Sequence, residues 1–260
     1  MPDFHPDLIP WFIAALMLGT FFCLELGYLF GTRETKTRPE LFEGKSGPIE
    51  ASIFALLGLL LAFTFSAAQG RMEQRRQQII NEANDISTAY LRMDLLPESA
   101  QPEMRQAFRE YVDTRIAVYK ALPDIDKAFQ ELEKSKHWQK KIWSGAITAL
   151  KDSPGREAVV VLPALNQMFD ITTTRTAMAK MHTPATIFIL LFVIALLCAS
   201  VAGYGMSKSP GRNWFHRLAF IAVVSTTVFV ILDLEFPRRG LINISATDHL
   251  LIEVRESMKN

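Results

Sequence analysis

The sequence predicts an all-α protein: four transmembrane helices, with a helical extramembrane bundle inserted between helices 2 and 3. Two observations predict it. Four stretches, Leu8–Phe30, Ala51–Ala68, Ala185–Met206 and Leu218–Leu232, hold one charged residue between them, Glu25, although 21% of the 260 residues are charged. Between the second and third stretches, Gly70–Pro184 carries apolar residues at helical spacing and no strand-period alternation.

A spanning helix needs about 20 mostly apolar residues, because the hydrocarbon core is about 30 Å thick and a helix rises about 1.5 Å per residue. Leu8–Phe30 and Ala185–Met206 meet this outright. Ala51–Ala68 meets it with Ile49 as an extension. Leu218–Leu232 is short; it reaches a spanning length with Trp214 and Phe215 as an interfacial aromatic anchor, and its alternative is a buried core helix. Leu8–Phe30 is not expected to be a cleavable signal peptide, since no Lys or Arg precedes it and no small-residue cleavage site follows. The resulting organisation is 1–69, transmembrane helices 1 and 2; 70–184, the extramembrane domain; 185–236, transmembrane helices 3 and 4; and 237–260, a C-terminal tail. Four spans put both termini and 69–184 on one side. Lys and Arg near the helix ends number seven on each side, so the positive-inside rule sets no orientation.

The second helix does not stop at the membrane. Ile79, Ala83, Ile86 and Tyr90 recur at +4, +3 and +4, and Pro97 is the first breaker. A helix from about Ala51 to Leu95 is roughly 65 Å long. Pro102 opens the next helix, whose face of Met104, Phe108, Tyr111, Arg115 and Tyr119 ends near Pro123. Ile125, Phe129, Leu132, Trp138, Ile142 and Leu150 describe a third, breaking at Ser153-Pro154-Gly155. A fourth runs from about Arg156 to Met181, with Pro163 at a kink or at its true first turn. Asp124 through Lys141 is the most polar stretch and reads as a membrane-distal hairpin tip.

No glycine-rich phosphate loop, GxSxG, HExxH or CxxC is present, so the chain is not expected to be an enzyme. The five histidines show no ligand spacing, and no metal or other cofactor is expected. Cys23 and Cys198 lie inside membrane segments as small hydrophobes. A net charge of +1 argues against nucleic acid; the expected partner is the lipid bilayer. Glu25, alone inside a span, needs a counter-charge, from Arg33 or from another helix. Asp233, Glu235, Arg238 and Arg239, around Pro237, read as an interfacial charge network that holds a turn.

Two faces of the second helix carry the functional question. Ala51, Ala55, Gly58, Ala62 and Ser66 form a small-residue stripe, and Ile53, Leu57, Leu60 and Thr64 form a bulkier one opposite. Small stripes let helices approach closely. If the small face packs, the Ile53/Leu57/Leu60/Thr64 face is free. In a monomer it meets lipid; in a symmetric oligomer it meets a central axis, where a ring of apolar side chains gates by dewetting. Arg71, Arg75 and Arg76 follow. Around an axis they form a basic collar at a pore mouth; in a monomer they snorkel to headgroups.

Three passages resemble a bacterial integral-membrane family with a bestrophin-like domain: Glu50–Ser66 (EASIFALLGLLLAFTFS), Arg75–Leu96 (RRQQIINEANDISTAYLRMDLL) and Ile231–Ile244 (ILDLEFPRRGLINI). Glu25-x-Gly27-Tyr28 and His182-x-Pro184 add to the likeness, which covers nearly the whole chain. The resemblance implies a multi-pass protein of the bacterial inner membrane, with the large domain and termini in the cytoplasm. It is similar, further off, to bestrophins, which are homopentameric ion channels whose second helix lines the pore. That likeness implies a homo-oligomer, ions as partners, and the Ile53, Leu57, Leu60 and Thr64 face at the neck. No calcium loop is present, so calcium gating is not implied. The alternative is a non-conducting membrane scaffold or sensor whose helical domain binds a partner.

Overall fold

The protein is seen here as a computed structural model that describes residues 6–37, 47–151, 155–207, 213–238, 240–244 and 247–258. Among the described residues eight α-helices follow one another: α1 (Ile9–Thr37), α2 (Gly47–Leu91), α3 (Gln101–Ala121), α4 (Ile125–Leu150), α5 (Arg156–Ala179), α6 (Ala185–Met206), α7 (Trp214–Glu235) and α8 (His249–Ser257). There is no strand among the described residues. Four helices, α1, α2, α6 and α7, are long and apolar enough to cross a membrane. The chain forms two units. Met1–Arg71 and His182–Phe236 make a membrane unit, and Met72–Met181 and Pro237–Asn260 make an extramembrane unit.

In the membrane unit, α1 and α6 pack at glycines. A Cβ on Gly27 would overlap the Ser200 carbonyl, and one on Gly203 would overlap the Leu24 carbonyl. The backbones therefore approach as closely as hydrogens allow, which is how helices gain contact in a solvent as apolar as their side chains. Leu24, Ala199 and Ile221 bury a small core where α7 joins them. The outward residues are large and apolar: Trp11, Leu18 and Phe22 on α1, Ile189 and Leu197 on α6, Phe215 and Val223 on α7. The fourth apolar stretch gains its length as expected, since α7 begins at Trp214 with the Asn213 side chain accepting from His216 N at 3.4 Å.

The extramembrane unit buries one large core. Ala83, Ile86 and Met93 meet Phe108 and Val112 of α3, Ile142 and Ala146 of α4, and Leu165 and Met168 of α5. Asp124 caps α4 by accepting from Lys127 N at 3.1 Å. The polar first half of α4 buries Ala128 and Leu132, against Val118 of α3, and the Ser135 side chain. Pro163 lies inside α5, which starts at Arg156, so the first-turn reading of that proline does not hold. The expected break at Ser153-Pro154 lies outside the described residues. α2 ends as α-helix at Leu91, and a 3-10 turn over Arg92–Leu95 finishes it. Leu96 is then extended, as the residue before Pro97 must be. The last segment, expected as a tail, carries α8, whose Leu251 joins the core together with Met258.

Candidate functional site

The membrane length of α2 docks on its own subunit with the bulkier of its two faces. Leu57, Thr64 and Ala68 are buried, at 5%, 8% and 0% exposure, and Ile53 and Leu60 are half-buried. The Phe54 ring meets Phe220 of α7 edge-on at 6.4 Å, and the Cys198 thiol of α6 points at the Ile53 carbonyl at 3.8 Å. The face left open is the small one. Ala51, Ala55, Gly58, Ala62 and Ser66 are all exposed, with Leu56, Leu59 and Phe63 beside them. A Cβ at Gly58 would meet nothing within 4 Å. Within one chain the small face does not pack, so the condition under which the Ile53, Leu57, Leu60 and Thr64 face would be free is not met. The glycines that need close approach are Gly27 and Gly203 of α1 and α6, and within one chain they satisfy the packing that α2 was expected to supply. The open face of α2 continues past the apolar stretch as Gln69, Gly70, Glu73, Gln74 and Gln77, all exposed.

The three arginines expected to act together diverge. Arg71 donates through Nε to Glu235 Oε1 at 2.9 Å, and through Nη2 to the same oxygen and to the Thr183 hydroxyl. Arg75 is buried and donates to the Met181 carbonyl at 2.8 Å. Arg76 is the most exposed of the three, with Glu73 at 3.9 Å on the preceding turn. Glu235 is 1% exposed and belongs to Arg71 and Thr183, while Arg238 forms a two-pronged pair with Asp248 at 2.6 and 3.2 Å. Asp233 is buried, and Arg239 lies outside the described residues. Glu25 takes its counter-charge from another helix, not from Arg33. It pairs with Arg217 of α7, whose guanidinium lies 4.6 Å from the Tyr28 ring centre.

A second buried charge cluster fills the extramembrane unit. Glu82 lies about four helical turns past Ala68 and is fully buried. It accepts from Arg115 Nε at 2.6 Å and from the Tyr119 hydroxyl at 2.9 Å, and it pairs with Arg175. The Arg175 guanidinium stacks 3.9 Å from the Tyr119 ring centre. Burial pushes the Glu82 carboxyl up, but the charges of Arg115 and Arg175 outweigh it and hold the group at about 2. Burial raises the Tyr119 phenol, which stays a donor. Sequence reasoning did not single out Glu82 or Arg175. The available signal was register: Arg115 sits on the apolar face of α3, and Glu82 falls between Ile79 and Ile86 on that of α2. A charge on a core-facing position demands an opposite charge on another helix.

Among the described residues, no group of His, Cys, Asp and Glu is arranged to hold a metal ion. A family model described as a bestrophin-like domain matches residues 19–248. A comparison with curated proteins finds no match. Solved structures share the fold. One variant of a bacterial bestrophin homolog from Klebsiella pneumoniae superposes with a TM-score of 0.67 at 10% identity, covering 95% of this chain and 96% of that one. Another variant of that homolog gives 0.64 at 11% identity, covering 97% and 99%. A further crystal structure, described as a membrane protein, gives 0.64 at 11% identity, covering 93% and 98%.

Proposed function

Because this chain belongs to the bestrophin-like domain family, we propose that it is a homo-oligomeric ion channel in which the open face of α2 surrounds a central pore. The observation that carries this reading is the contrast between outward surfaces. α1, α6 and α7 turn Trp, Phe, Ile, Leu and Val outward, as lipid-facing helices do. α2 instead turns outward a stripe of small residues, Ala51, Ala55, Gly58, Ala62 and Ser66, with Leu56, Leu59 and Phe63 beside it, and then Gln69, Gly70, Glu73, Gln74 and Gln77. Small residues gain little from lipid and much from another helix. Copies meeting along this face would bring Leu59 and Phe63, at 51% and 65% exposure in one chain, toward the axis. They, with Ile53 and Leu60 at the margins of the face, are the constriction we assign. Leu57 and Thr64 hold α2 to its own subunit, and Arg76 supplies the basic charge beyond the constriction. The fold likeness to a bacterial homolog supports a place in the bacterial inner membrane, with the extramembrane unit in the cytoplasm.

Purified protein in planar bilayers tests the reading. Wild type is expected to conduct, Leu59→Ala and Phe63→Ala to raise conductance, and Arg76→Gln to shift the reversal potential toward cations. Silence from wild type and both alanine variants overturns the channel and leaves the scaffold or sensor reading.

A further inference from the structure

The membrane unit has three cut ends, where its segments pass into the rest of the chain: after Arg71 on α2, before His182 ahead of α6, and after Phe236 beyond α7. These ends lie 111 and 54 positions apart in the sequence, yet one carboxylate holds all three. Glu235 sits one residue before the third end. It accepts from Arg71, the last residue of the first, at 2.9 Å. It accepts from the Thr183 hydroxyl at 2.6 Å and the Thr183 backbone N–H at 3.3 Å, one residue into the second. The triangle closes on itself, because Arg71 also donates to the Thr183 hydroxyl. His182 stacks on Phe236 at 4.9 Å between ring centres and brings Nδ1 to 3.9 Å from Glu235.

We propose that Glu235 is a clamp that locks the exits of α2, α6 and α7 into one rigid body, so that none of the three moves without the others. A fully buried carboxylate earns its place only when its donors surround it, and the donors named above, Arg71 and Thr183, lie at the other two ends. The clamp makes α2 respond to displacement of either neighbouring exit, which is the coupling that any movement passed along the chain into the membrane helices requires. This inference does not depend on conduction.

Hydrogen–deuterium exchange of the full chain in detergent tests it. Glu235→Gln is expected to speed exchange about tenfold or more in 68–75, 181–187 and 233–238 together, while α3 and α4 stay as in wild type. Thr183→Val, a milder change, is expected to loosen 68–75 and 233–238 as well as 181–187, although neither of the first two contains it. Glu235→Gln effects confined to 233–238, or Thr183→Val effects confined to 181–187, overturn the clamp. If Glu235→Gln does not fold, the Thr183→Val pattern decides alone.

Discussion

Glu82→Leu is expected to destabilise the extramembrane unit by about 3–5 kcal/mol, because it strands Arg115 as a buried cation without its carboxylate and leaves Arg175 only the longer contact to Asp248, at 3.8 Å. Both arginines are nearly inaccessible, and Glu82 is the only carboxylate that Arg115 meets among the described ion pairs. A loss of that size is a large share of a domain's stability. Thermal unfolding of the full chain in detergent, followed by circular dichroism, checks it, with limited proteolysis between α2 and α5 as a second readout. A variant melting with wild type would show that the cluster is dispensable. The same group sets a pH dependence. Its carboxyl is held at about 2, below its ordinary 4.5. Its contribution is therefore complete above about pH 4.5 and is lost as pH falls from there toward 2. Glu82→Gln removes that acid sensitivity along with part of the stability.

Gly203→Leu is expected to separate α1 from α6 and to cost the membrane unit about 3 kcal/mol, the upper end of ordinary overpacking. The added side chain would start against the Leu24 backbone, which has no rotamer to give. Gly27→Leu meets the Ser200 carbonyl in the same way from the other helix. Gly58→Leu is the informative control. In one chain it faces open space, so the isolated subunit tolerates it, and any defect it causes arises where copies meet. Detergent unfolding that ranks Gly203→Leu no worse than Gly58→Leu would contradict the assignment of close packing to α1 and α6.

The four spans and three further helices, α3, α4 and α5, were legible in the sequence because they are carried by composition and period. Charges leave a stretch that must sit in lipid, and Ile79, Ala83 and Ile86 repeat with the turn of a helix. The facing of α2 was not legible. Its two stripes are equally good packing surfaces, and periodicity shows that a helix has two faces without saying which one meets its own chain. The spacing Gly27-x-x-x-Gly31 was the missed clue: with the close approach supplied by α1 and α6, the small stripe of α2 is released. The Arg71–Glu235 pair was invisible for another reason, since its partners are 164 residues apart and each has nearer opposite charges in sequence. α8 was missed because nine residues are too few for periodicity to separate a helix from a tail.

Every pore argument requires an axis, and an axis requires copies. The mass of the protein in detergent, corrected for bound detergent by light scattering, is expected to be a whole multiple of 29.3 kDa greater than one, and to fall toward the single-chain value in Gly58→Leu. A wild-type protein that is a monomer of 29.3 kDa across detergents and in lipid nanodiscs would contradict it.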